Sequence, residues 1–182
     1  MTIAELLASL VVSAMTMAAI YNVTLMQQKV YSVQNQVADM EQTAEVLKAM
    51  IVRELDMAGY NPTGLAFNGV TLDNTQLRIR TDSNGDNDTN DAREDIIYRY
   101  DAANRRVLRI TGGVQTMIPN IEAFTFAYIR ADGAAATTSA DIRQVNVTVR
   151  ARTARADRDW NLNGGFRTFT IDFSVTPKNL GL

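Results

Sequence analysis

The segment TDSNGDNDTNDARED, residues 81–95, holds the side chains best suited to chemistry. Asp82, Asn84, Asp86 and Asp88 stand at every second position, and Asn90, Asp91, Glu94 and Asp95 follow. Oxygen ligands at alternating loop positions are what a hard cation such as Ca²⁺ takes, with several carboxylates and carbonyls around one ion. Six carboxylates within the fourteen residues 82–95 repel one another unless a cation sits among them. Counted from Asp82, the first, third, fifth, seventh and ninth positions fit the EF-hand pattern. The glycine expected sixth is Asn87, with Gly85 just before it. Arg93 stands where the bidentate acid belongs, which would have to come from Glu94 or Asp95. No helices are expected on either side. The segment therefore reads as a Ca²⁺ loop between two strands, with candidate ligands Asp82, Asn84, Asp86, Asp88, Asn90 and Glu94. The alternative is a solvated turn, rich in Asp, Asn and Gly for local backbone reasons. Nothing in the pattern indicates the desolvated pocket that a catalytic carboxylate pair needs.

Composition narrows the chemistry further. The chain has no histidine and no cysteine, which removes the commonest general base, thiolate metal ligands and disulfides. It also has no CxxCH haem motif and no phosphate-binding glycine loop. The expected class is not an enzyme. A net charge of −2 lacks the basic excess of a nucleic-acid binder, so no nucleic-acid partner is expected. The 182 residues suffice for one domain with a real core.

The opening, MTIAELLASLVVSAMTMAAIYNV, is apolar apart from one acid, Glu5, and no charged residue lies between Leu6 and Met26. A run of about 20 apolar residues crosses a bilayer as a helix. Ser9, Ser13, Thr16 and Thr24 dilute it, but their hydroxyls can bond back to the helix. Small residues (Ala8, Ser9, Ser13, Ala14, Ala18, Ala19) allow close helix approach. A secretory signal peptide fits poorly, since an acid stands where lysines belong. A plain membrane anchor leaves Glu5 unexplained, because an ionised carboxylate in hydrocarbon costs at least about 2.5–3.5 kcal/mol. Such a group needs a partner, and the nearest cation is an α-amino group at a chain start.

These residues resemble the N-terminus of mature type IV pilins and type II secretion pseudopilins, which carry an N-methylated first residue, Glu at position 5 and an apolar helix. The resemblance implies that Met1 is the residue left after a leader is cleaved, and that Glu5 pairs with the α-amino group of a neighbouring subunit. A charge unmet in the monomer would then favour assembly. Met1 departs from the commoner Phe. Ala14 and Asn22 replace the Gly and Pro that partly melt this helix in many major pilins. The stretch VLKAMIVRELDMAGYNPTG further resembles the helix end of PilW-like minor pilins and their GspJ-like secretion relatives. Similar acidic loops occur in some pilins of this type.

After Met26 the chain stays periodic. Val30, Val33, Val37, Met40, Ala44, Leu47 and Ile51 recur at three- and four-residue steps, one apolar stripe near a heptad seam. Gly59 and Pro62 supply the stop. One helix from about residue 2 to about residue 57 is expected. Its parts are a membrane or filament-core half (1–27) and an amphipathic half (28–58), followed by a β-rich domain (59–182) that carries the acidic loop 82–95. The stripe reads as domain core, with a coiled coil as the alternative.

Beyond residue 65 the period becomes two. QLRIR, DIIYRYD, RRVLRITGGVQTMI, IEAFTFAYIRA, IRQVNVTVRAR and FRTFTIDFSV read as half-buried strands. Short connections imply an antiparallel meander, covered on its apolar face by the helix. The expected fold is α+β: a pilin-like lollipop, a long N-terminal helix packed on an antiparallel sheet domain. Trp160, in the loop TARADRDWNLNGG, is either a subunit contact or partly buried beneath the loop.

The resemblance implies a structural subunit of a type IV pilus-like filament. Its partners are itself, other pilins and the pilus assembly machinery, with energy from a separate ATPase. It implies an inner-membrane location before assembly and a bacterial cell-surface filament afterwards. A minor priming or tip pilin, or a pseudopilin, is the alternative within that class. A monomeric membrane-anchored Ca²⁺-binding or adhesive domain is the alternative outside it.

Overall fold

The computed structural model describes residues 2–64 and 66–180. The chain divides into two compact units, one up to Ala38 and one from Asp39 onward. A single helix, α1 (Ile3–Asp56), contributes to both. Its bounds match the expected span to within one residue at each end.

In the first unit α1 is solvent-exposed along nearly its whole length. Its most apolar window has a mean hydropathy of 2.0, and none of that window is buried. Three hydroxyls along this stretch are satisfied locally. The hydroxyls of Ser9, Thr16 and Thr24 donate to the carbonyls of Leu6, Val12 and Ile20, each at 2.9 Å. A helix turns such groups inward on its own backbone, so they do not oppose an apolar surrounding.

In the second unit the remainder of α1 buries Met40, Ala44, Leu47, Ile51 and Leu55. Beyond Asp56 the chain turns sharply at Gly59, whose φ of 78° is the left-handed region that glycine tolerates. Gly59 also lies against Gly69. A Cβ on Gly69 would stand 2.2 Å from the Gly59 nitrogen, so only glycine fits there. The close passage lets Arg80 bond both segments: its carbonyl accepts from Gly59 N at 2.9 Å, and its amide donates to Gly69 O at 2.7 Å.

Among the described residues, eight strands follow in two antiparallel sheets. The first sheet orders β1 (Val70–Thr71), β2 (Gln76–Arg80), β3 (Asp95–Asp101), β4 (Arg106–Thr111) and β5 (Val114–Pro119). The second orders β6 (Ile121–Ile129), β7 (Gln144–Arg152) and β8 (Thr168–Val175). Within each sheet the strands pair in sequence order, the expected antiparallel meander. The sheet does not run through, however. At the junction, Pro119 ends β5 with no amide to donate and Asn120 follows at φ 60°, and there the chain leaves one sheet for the other. The two-residue β1 is too short to carry an alternation signal.

Register explains the core. Leu77 pairs with Tyr98 and Ile79 with Ile96, so these four share one face. Val107 and Arg109 lie on the same face, opposite Tyr100 and Tyr98. In the second sheet Val145, Val147, Val149 and Ala151 of β7 are fully buried, between Phe124, Phe126 and Tyr128 of β6 and Phe169, Ile171 and Phe173 of β8. Tyrosine hydroxyls strap the sheets together. Tyr128 donates to Asp73 O at 2.9 Å, and Tyr100 donates to Glu122 O. Trp160 is half-buried in the β7–β8 loop, with the Arg167 guanidinium 4.3 Å from its ring centre.

Candidate functional site

The loop between β2 and β3 contains the acidic segment. Three Asx turns run through it in succession: the amides of Asp86, Asp88 and Asn90 donate to the side-chain oxygens of Asn84, Asp86 and Asp88, at 2.9, 3.1 and 2.8 Å. Gly85 and Asn87 sit at φ 77° and 74°, so the backbone winds and successive acids turn toward one side. The carboxylates of Asp86, Asp88 and Glu94 come within 4.8 Å of one another.

Glu94 is the pivot. It is 1% exposed and immediately precedes β3. Its Oε1 accepts from Ser83 N (2.9 Å), Ser83 Oγ (2.9 Å) and Asn84 N (3.2 Å), closing the loop across its base. Its Oε2 is buried with no hydrogen-bond partner among the described residues. A buried carboxylate oxygen without a partner is costly, and a cation at that oxygen removes the cost. The donor set is all oxygen, as Ca²⁺ prefers.

The other candidate ligands are placed differently. Asp82 is fully buried and occupied locally, its Oδ1 accepting from Gly85 N (2.7 Å) and its Oδ2 from Thr63 Oγ1 (2.8 Å). Asn84 turns its amide nitrogen to Asp86 Oδ2 and Asp91 Oδ2, at 3.0 and 2.9 Å. Asn90 closes the last Asx turn through its backbone amide.

At the other end of the chain, Glu5 is part of a capping box. Thr2 N donates to Glu5 Oε2 at 2.9 Å, and Glu5 N donates to Thr2 Oγ1 at 3.3 Å. The acid thus satisfies a free amide at the helix start, where the helix dipole also favours negative charge. Met1, the other candidate assembly residue, lies outside the described residues. The pattern Thr-x-x-Glu was the signal for this cap.

A third buried acid, outside the loop, carries no motif of its own in the sequence pattern alone. Glu54 of α1 is 7% exposed. Its Oε2 accepts from the Tyr98 hydroxyl at 2.5 Å, and its Oε1 accepts from Arg109 Nη2 and Nε at 2.6 and 2.9 Å. Burial, and then the adjacent Glu54 carboxylate, push the Tyr98 hydroxyl far above the usual tyrosine range. Burial opposes the charge on Arg109, but its bond and attraction to Glu54 outweigh this and raise its pKa. The signal lay in the stripe: the steps 44, 47, 51 lead on to 54, a core position holding an acid.

No family profile matches this chain, and no curated protein matches it. Among solved structures, the chain is similar to a type IV-like pilin from Thermus thermophilus at 14% identity and a TM-score of 0.44, over 77% of this chain and 97% of that one. The fold itself is α+β, a long N-terminal helix with antiparallel sheets.

Proposed function

We propose that this protein is a non-enzymatic structural subunit of a type IV pilus-like filament, built through its N-terminal helix. One observation carries the reading: α1 continues from an apolar, wholly exposed stretch headed by Glu5 into the core of a folded β domain. Such a surface needs lipid before assembly and other helices afterwards. In this reading residues 1–27 form the filament core, 28–58 join it to the domain, and 59–182 form the outer shell. Met1 and Glu5 make the contact between neighbours. The chain starts in the inner membrane and ends on the bacterial surface, with other pilins and the assembly machinery as partners. The resemblance of its helix end to PilW-like minor pilins supports that subgroup, where a minor or pseudopilin role belongs to the same reading. Ca²⁺ at Asp86, Asp88 and Glu94 stiffens one exposed loop.

Cryo-electron microscopy of filaments sheared from producing cells tests this. The chain should repeat on a helical lattice, and Glu5→Ala should abolish filaments while leaving the chain in the membrane. Filaments that lack the chain in their shaft favour the minor-subunit role. The Thr2–Glu5 cap favours a second reading, a monomeric membrane-anchored Ca²⁺-binding or adhesive domain, because it satisfies Glu5 inside one chain. Under that reading Glu5→Ala is harmless and no polymer forms.

A further inference from the structure

Strand β8 is the outer edge of the second sheet, paired on one side only. The bond from Thr153 N to Arg167 O, at 2.9 Å, fixes which of its residues face β7. Bonding alternates along an antiparallel ladder, so Phe169, Ile171, Phe173 and Val175 exchange bonds with β7. Thr168, Thr170, Asp172 and Ser174 turn their amides and carbonyls outward, where these groups have no hydrogen-bond partner among the described residues. On one face of the strand Phe169, Ile171 and Phe173 are only half-buried, although Ala151, Val149 and Val147 beside them are fully buried. On the other face Asp172 is the strand's single charge, and it accepts from Thr148 Oγ1. Edge strands are ordinarily blunted by lysine, proline or a bulge. β8 contains no lysine and no proline, and its register with β7 is unbroken.

We propose that this edge pairs with β8 of a second copy, antiparallel about a two-fold axis, which joins two three-stranded sheets into one. Only registers that set the outward residues opposite one another make the bonds. One of these places Ile171 against itself, Phe169 against Phe173, Thr170 against Asp172 and Thr168 against Ser174. It uses the strand from end to end and completes the burial of the apolar face with the same side chains from the partner. A shift of two residues one way brings the two Asp172 carboxylates face to face, which is destabilising. A shift of two the other way sets Phe173 against Arg167, beyond the strand. The favoured register also lays Asp172 of the second copy in one cross-strand row with Thr170 and Arg150. Arg150 stands two strand spacings from it, about 10 Å, a gap that two extended side chains close. Among the described residues Arg150 is otherwise held by a loose 3.7 Å approach to Glu122. The remaining charge on this face of β7, Arg152, lies 4.0 Å from the Phe166 ring centre. A two-fold contact closes on itself and has no place in the polar lattice of a single filament. The pairing therefore stands apart from the filament reading and joins two filaments or two free chains.

The chain has no cysteine, so an introduced one reports alone. The full chain is purified in detergent and mildly oxidised. Ile171→Cys should give a disulfide-linked dimer, because facing residues in a non-hydrogen-bonded pair lie about 4.5 Å apart, within disulfide reach. Ser174→Cys is more exposed but should give none, since its two copies would stand about 20 Å apart. Thr170→Lys sets a cation against Asp172 twice in each pair and should strengthen dimerisation about tenfold, whereas Thr170→Asp should weaken it by a similar factor. Thr170→Pro removes an outward amide and no bond to β7, so it should abolish the dimer while the domain stays folded. Should the proline unfold the domain, the opposite responses to Lys and Asp at an exposed threonine still decide. Equal crosslinking at positions 171 and 174, no crosslinking at 171, or the same response to Lys and Asp overturns the pairing. So does loss of filaments in a folded Thr170→Pro chain, which would put β8 inside the lattice. Filaments that persist in that variant support a separate contact.

Discussion

Glu94 has one oxygen saturated by three donors and the other buried without any. That asymmetry is the reason a response of the loop to a cation is expected. Ca²⁺ at one hundred times its dissociation constant should stabilise the protein by about 2.7 kcal/mol, read as a rise in melting temperature against chelator. Glu94→Gln should remove this response. In chelator the same variant should be no less stable than the parent, because its new amide can donate to Asp86 or Asp88. Calorimetry with and without Ca²⁺ checks both halves. Tyrosines set the alkaline limit. Burial raises Tyr98 and Tyr128 far above their unfolded value of about 10. Above about pH 10 the unfolded chain therefore loses protons that the folded chain keeps, and stability falls as pH rises. Ultraviolet titration should show these two hydroxyls ionising only as the domain unfolds, and Tyr128→Phe should extend the stable range upward. At this scale the acidic loop was legible from the spacing of its acids. The division of labour within it was not, because whether a carboxylate faces a cation or caps a turn depends on backbone φ values that side-chain type does not reveal. Asp82 and Asp86 look alike in sequence and behave differently in the fold.

Among the elements, α1 is the most readable, since length, stripe and stop agree with one another. What periodicity could not show is how the stripe ends. Glu54 occupies a core position by charge-paired hydrogen bonding to β3 and β4, a tertiary arrangement invisible to local pattern. Glu54→Ala leaves Arg109 buried without its acid, so a loss of about 3–5 kcal/mol is expected. Leu47→Ala, a plain cavity, should cost about 2–5 kcal/mol. The two differ in pH dependence: the Tyr98 contribution to alkaline sensitivity should shrink in the first and persist in the second. Urea unfolding at two pH values separates them. The strands were legible from their alternation, but the break into two sheets was not. Alternation reports which side of a strand is buried and says nothing of which neighbour continues the sheet. Pro119 and Asn120 mark the break only once the missing amide and the left-handed turn are weighed together.

At the scale of the molecule, a helix that is greasy at one end is joined to a domain that grips it at the other. The grip has two parts of different character. Contacts of Leu47, Ile51 and Leu55 are non-directional and yield gradually as surfaces slide. The bonds of Glu54 to Tyr98 and Arg109 act over a few tenths of an ångström and tie α1 to β3 and β4. Under tension along α1 these short-range bonds are loaded at the same point of the helix, since all three meet at Glu54. The domain should therefore hold rigidly up to a threshold and then release abruptly, like a shear pin. Single-molecule pulling on the helix should record one sharp rupture in the parent. In Tyr98→Phe the rupture should come at lower force, while in Glu54→Leu it should become a gradual extension. A chain built this way resists tension up to a set limit and then yields in one step.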